Sequence, residues 1–224
     1  CLLVYFLFKG RIGEDKLAVF TGIATMPNVG YVGIPIINAM YGNLGIIYLS
    51  GSITALNIVM WTVLYALIQR GEKNNFFRAV INPGIIASLL ALVFILIGFR
   101  LPEPLLSLCN QLGNMTIPLS MLLVGARLKE TIRIKQLKDR LLWLSIVIRL
   151  LIIPIAMTLV LKGLGFSGIS YGVLTVAFAL PAAAATQFMA EQYNRNTALA
   201  AQSASISLLL CLITLPLVLL IAGV

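Results

Sequence analysis

The 224-residue sequence contains no histidine, only seven acidic residues and three cysteines. Each shortage excludes something. Without histidine there is no Ser/His dyad and no imidazole to ligate a metal. The acids (Glu14, Asp15, Glu72, Glu103, Glu130, Asp139 and Glu191) all fall in loops or at the ends of apolar runs. No carboxylate pair can be assembled inside those runs, and no titrating side chain is evident there for proton coupling. Cys1, Cys109 and Cys211 are scattered and odd in number, which supports neither a disulfide framework nor a metal cluster. An enzyme is therefore disfavoured, and no cofactor or metal is expected. Charged residues make up 10% of the chain against 60% hydrophobic, whereas soluble domains hold roughly 25% and 45–50%. The expected class is an all-α integral membrane protein.

What is present is a series of apolar runs of spanning length, near 15–41, 44–68, 79–99, 105–126, 141–161, 168–190 and 197–223. The opening CLLVYFLFKG is already apolar but too short for the roughly 20 residues of a span. It reads as the tail of a span begun earlier, which gives about eight crossings and a natural chain longer at its N-terminus. The basic residues fall on alternate connections: Lys9, Arg11 and Lys16; Arg70, Lys73 and Arg78; Arg127, Lys129, Arg133, Lys135, Lys138 and Arg140; then Arg195. The opposite connections hold only Arg100 and Lys162. The positive-inside rule makes the first set cytoplasmic and the C-terminus extracytoplasmic, in a multi-pass protein of the plasma membrane. The net charge of +9 then sets topology and needs no nucleic-acid partner. Trp61 and Trp143, near span ends, read as interface anchors.

Two spans are interrupted. MPNVGYVGIP (26–35) places Pro27, Gly30, Gly33 and Pro35 within the 15–41 span, and FALPAAAATQ (178–187) places Pro181 within the 168–190 span. A proline in mid-span frees backbone groups, which hydrocarbon tolerates only where they line a protein-enclosed cavity. Paired interruptions at corresponding positions point to a transporter built of two repeats, with its site at their crossing. The loop charges run the two broken spans in opposite directions. The positive N-terminal ends of their second halves would then converge near mid-membrane. N–H groups near 28–30 and 182–184 would face a common cavity suited to an anion.

Pro27-Asn28, then Gly33-Ile34-Pro35, with a later Leu180-Pro181 running on to Ala190-Glu191-Gln192-Tyr193-Asn194, resembles the auxin efflux carrier family. That family includes plant auxin carriers and bacterial permeases for malate and malonate, and is related to the bile acid/sodium symporters. The resemblance covers essentially the whole chain. It implies an inverted-repeat, ten-helix fold in which the fourth and ninth helices are broken and cross. Residues 1–70 would end the first repeat and 71–224 form the second. A transport unit of 1–68 and 141–223 would move against a scaffold that includes 79–126, and copies would dimerise through that scaffold. By resemblance Asn28 would contact a substrate carboxylate and Pro181 would be the second crossover proline. After Pro181 the run Ala-Ala-Ala-Ala-Thr-Gln departs from the plant pattern.

Arg149 lies about 12 Å into its helix, at 1.5 Å per residue, and no acidic residue shares its depth. A substrate anion, the carbonyls of the broken helices, the cytoplasmic interface and an earlier segment of the chain are all candidate partners. Asn110, Gln111, Asn114 and Thr116 make the 105–126 span polar before Pro118, for hydrogen bonds between helices or for the substrate path. Thr186, Gln187, Gln202, Ser203 and Ser205 are neutral oxygen donors that suit sodium, by analogy with the symporters. The candidate site is thus Asn28, Pro27, Gly30, Gly33, Pro35, Pro181, Ala182, Thr186, Gln187, Arg149 and Asn114. The expected function is a secondary carrier of small organic anions with sodium or proton coupling open. A membrane-embedded sensor on the same fold is the alternative.

Overall fold

The computed structural model describes residues 1–69, 83–99, 101–131 and 139–224. The loop cations Arg70, Lys73, Arg78, Arg100, Arg133, Lys135 and Lys138 lie outside the described residues, as do the side chains of Thr116, Arg127 and Lys129. Among the described residues the chain is helical, with no β-strand.

A short α1 (Leu2–Phe8) turns into α2 (Glu14–Thr25), whose first turn carries Glu14 and Asp15 against the positive end of its dipole. All of 17–24 is buried, as befits a helix that is apolar all round. It stops at Met26 because the following Pro27 forces extended backbone (φ −93°, ψ 113°). The chain restarts as a π-helical turn (Val29–Gly33) and runs into α3 (Ile34–Val59). Pro35 does not break it. Pro35 sits in the first turn of α3, and the widened π turn just before it absorbs the missing N–H. The same device recurs where a π turn (Ile148–Ile152) precedes Pro154.

Within α3, Gly42 has a left-handed φ of +59° and ψ of −151°. There the chain folds back. A Cβ on Gly45 would lie 3.2 Å from the Ile37 carbonyl oxygen, although eight residues of unbroken helix span about 12 Å. The returning arm continues through a third π turn (Met60–Leu64) into α4 (Tyr65–Ile68). Then come α5 (Pro83–Leu96) and α6 (Glu103–Thr131). Next, α7 (Arg140–Val147) leads through the Ile148–Ile152 turn into α8 (Ile153–Gly163). Asp139 caps α7 by accepting from the Leu141 N–H at 2.9 Å, and pairs with Lys16 at 3.6 Å.

The second broken span is α9 (Gly168–Ala179) followed by α10 (Ala184–Gln192). Leu180, ahead of Pro181, is extended like Met26 (φ −66°, ψ 155°). The last helix, α11 (Thr197–Ala222), packs against α2, α6, α7, α8, α9 and α10. Its buried face carries Gln202, Ser203, Ser205, Ser207 and Cys211, small and polar side chains that let helices approach closely in an apolar medium. Three helices among the described residues are long and apolar enough to cross a membrane: Val29–Ile68, which contains the Gly42 fold, Arg140–Gly163 and Thr197–Ala222.

Candidate functional site

The two interruptions meet. Pro27 and Ala182 form an antiparallel bridge in which the Asn28 N–H donates to the Pro181 carbonyl and the Ala183 N–H donates to the Met26 carbonyl, both at 2.8 Å. The chains therefore run in opposite directions at the crossing. On either side, the first half of one broken span lies beside the second half of the other: α2 against α10, and α9 against α3.

A helix end leaves carbonyls unpaired and a helix start leaves N–H groups unpaired. At this crossing the two kinds are treated differently. After α9, four consecutive carbonyls all find donors. Those of Phe178 and Leu180 accept from Arg149 Nη2 and Nε, that of Ala179 faces Cys211 Sγ at 3.7 Å, and that of Pro181 accepts from Asn28. After α2, the Thr21 carbonyl accepts from Thr25 Oγ1, the Gly22 carbonyl from the Met26 N–H, the Thr25 carbonyl from Arg149 Nη1 and the Met26 carbonyl from Ala183, while those of Ile23 and Ala24 have no donor among the described residues. The donors are not closed in this way. The N–H groups of Asn28, Ala182 and Ala183 are taken, the second by Ser207 Oγ at 3.1 Å. Those of Val29, Gly30, Ala184 and Ala185, in the first turns of the restarted helices, have no partner among the described residues.

All four of these residues line one cavity of about 490 Å³. Asn28 lines it too. Its Oδ1 accepts from the Tyr31 N–H at 3.3 Å and caps the π turn, which leaves the Nδ2 donors without a partner among the described residues. A Cβ on Gly30 would meet nothing within 4 Å, so the backbone there is open to the cavity. Gly33 instead permits close packing of the two breaks, since a Cβ there would lie 2.7 Å from Leu180 Cδ1. The far wall comes from the returning arm after Gly42: Ile53, Leu56, Asn57, Met60 and Trp61. Phe188 of α10 and Tyr31 add aromatic surface.

Of the sequence candidates, Pro27, Asn28 and Gly30 line the cavity; Gly33, Pro35, Pro181, Ala182, Thr186, Gln187, Arg149 and Asn114 do not. Arg149 is fully buried with 0% exposure, which removes the snorkelling alternative, and its guanidinium holds the carbonyls named above. Gln187 Nε2 donates to Glu191 Oε1 at 2.9 Å, one turn along α10. Thr186 is buried against Gly22, its hydroxyl without a partner among the described residues. Asn110, Gln111 and Asn114 are exposed on α6. Ser203 Oγ pairs with Ser145 Oγ at 3.4 Å, and no cluster of acidic, Cys or His ligands suits a metal among the described residues.

Trp61 also forms part of the cavity wall. Asn57 escaped the sequence reading altogether. Its signal was an amide deep in an apolar arm, at nearly the same distance from Gly42 as Asn28 on the other arm.

A family model described as a membrane transport protein matches residues 1–219. An uncharacterized transporter of Methanocaldococcus jannaschii is 23% identical over 213 residues, covering 90% of this chain and 68% of that protein. An uncharacterized transporter of Methanothermobacter thermautotrophicus is 28% identical over 222 residues, covering 96% of this chain and 72% of that protein.

Proposed function

We propose, from the premise that the chain belongs to the membrane transport protein family, that of the auxin efflux carriers, that it is a secondary carrier of small organic anions such as mono- or dicarboxylates. One observation carries the substrate class. Eight carbonyls at the crossing have donors, while the N–H groups of Val29, Gly30, Ala184 and Ala185 and the Asn28 Nδ2, all on residues that line one cavity, have no partner among the described residues. Such an arrangement concentrates donors at the two restarts, and the helix dipoles add positive potential. Among the described residues no acidic side chain lines the cavity to repel an anion. Its volume is in the usual range for small-molecule sites, about 300–1,000 Å³.

On this proposal the Asn28 amide and the backbone donors hold the carboxylate, while Tyr31, Trp61 and Phe188 receive the apolar body of the substrate. Asn57 supplies a further amide to polar substituents. The two broken spans belong to inverted repeats of a ten-helix carrier in the plasma membrane, with the C-terminus outside. The core, 1–68 and 141–223, moves as an elevator against a scaffold that includes 79–126 and through which two copies associate. Catalysis has no part in this reading.

Uptake of labelled C3–C5 acids into proteoliposomes, with sodium and proton gradients imposed separately, tests it. Saturable uptake of at least one such acid, competed by its analogues, is expected. Uptake of neutral or cationic solutes only would overturn the substrate class. A reporter active only in the cytoplasm should be silent when fused after Val224 and active within 133–138. The reverse pattern would overturn the orientation.

A further inference from the structure

We propose that Arg149 is the positioning residue that makes the crossing an anion site without touching the anion. Three nitrogens of one guanidinium reach three carbonyls at the ends of two helices. Nη1 takes the last residue of α2 (Thr25, 3.0 Å), while Nη2 and Nε take Phe178 and Leu180 (the latter at 3.1 Å) at the end of α9. The side chain thus ties together the two ends that the prolines cut loose. It does so from a third element, the π turn between α7 and α8.

The electrostatics fit this role. Each helix C-terminus carries roughly half a negative charge. Two such ends make about one, which offsets a single buried cation. No carboxylate pairs with Arg149 among the described residues, and an uncompensated charge at that depth would be strongly unfavourable. With these three carbonyls held by one side chain, the N–H groups at the two restarts are left for the cavity that their residues line. Without Arg149 the Thr25, Phe178 and Leu180 carbonyls would need other donors, and the unpartnered N–H groups at the two restarts are among those the crossing holds. The loss would reach the cavity through the crossing itself. A lysine, with its charge on one atom, can hold part of this arrangement but cannot span three separated acceptors as the planar fork does.

That the held crossing serves an anion rests on the proposed function, whereas how Arg149 holds it is tested separately. Hydrogen–deuterium exchange on the full-length protein, read by peptides, tests it without a substrate. In Arg149→Gln, peptides covering 22–33 and 179–188 should both exchange about tenfold faster, a loss of about 1.4 kcal/mol of local protection. Peptides covering 208–222 should not change. Arg149→Lys should stay within about threefold of wild type at both breaks, or about 0.65 kcal/mol. Faster exchange at one break only, at neither, or equally across the whole chain would overturn the proposal. So would an Arg149→Lys protein as unprotected as Arg149→Gln. If Arg149→Gln does not fold, Arg149→Lys alone decides: a small rise confined to both breaks supports the pin, and a one-sided or general rise overturns it.

Discussion

Pro27 and Pro181 stop their helices by the same means, each fixing an extended residue before it, yet the chain restarts differently after each. After Pro27 it restarts as a π turn capped by the Asn28 side chain. After Pro181 it restarts as an ordinary α-helix from Ala183, with no side-chain cap. Glycines from both broken spans make the tight contacts between them: Gly172 of the second faces Tyr41 of the first, where a Cβ would run into the hydroxyl oxygen. Gly22 faces Thr186, and Gly33 faces Leu180. Both breaks contribute backbone donors, and the first alone adds a side-chain amide, that of Asn28. Two breaks of like geometry need not serve alike. The crossing needs both breaks, but a ligand reads them through different groups.

The sharpest way to break this comparison is at Asn28. Its amide has two jobs, an acceptor that caps and a donor that faces the cavity. Asn28→Ala removes both. A charge-assisted hydrogen bond is worth about 1.5–3 kcal/mol, so affinity for a transported carboxylate should fall about 10- to 100-fold. The lost cap should cost a further ~0.5–2 kcal/mol of stability. Asn28→Asp separates the jobs, because a carboxylate still accepts from the Tyr31 N–H but cannot donate to an anion. Its thermal midpoint should stay nearer wild type than that of Asn28→Ala while binding is lost. If Asn28→Asp binds normally, the amide is a cap and nothing more.

A smaller effect is expected where the two breaks pack. A Cβ on Gly22 would lie 2.5 Å from Thr186 Cγ2 and 3.0 Å from Leu64 Cδ1. Threonine is stiff at χ1 and cannot swing aside easily. Gly22→Val should therefore cost about 1–3 kcal/mol by overpacking, seen as a lower thermal midpoint. Thr186→Ala in the same chain should recover part of it, since the pair is in contact and couples. Strictly additive midpoints would show that the two breaks do not press on each other there.

Much of this crossing was legible in the sequence because proline acts locally. Pro27 and Pro181 dictate the conformation of the residue before them whatever the surroundings, so the break positions could be read directly. Pro35 looked equivalent but was not, since a π turn upstream changed which hydrogen bond its ring removes. The cavity wall was not legible at all. Which of Asn57, Met60 and Trp61 meets Asn28 depends on where the chain folds back at Gly42, and a shift of one residue would present another face. Arg149 sat between the two cases. Its burial demanded a partner, but only the assembled crossing shows three carbonyls within reach of one guanidinium.

The smallest effect, and the most selective, is at the second break. If that break serves through its backbone, removing one N–H without disturbing the helix should register. Ala184 is the first residue of α10, the position at which proline is best tolerated because its missing N–H has no intrahelical partner there. The residue before it is compatible too. Ala183 has φ −66° and ψ 128°, within the extended region that a following proline requires. The matching position in the first break is less suited, since Asn28 has ψ 66°. Ala184→Pro should therefore fold with a thermal midpoint close to wild type and lose one donor from the cavity. At about 0.5–1.5 kcal/mol for one hydrogen bond, affinity for a carboxylate should fall roughly 2- to 12-fold. Ala184→Ser, which keeps the N–H, should not share the loss. Equal affinity in the wild-type and proline proteins would mean that the second break shapes the cavity without binding, and that the anion is held by the first break alone.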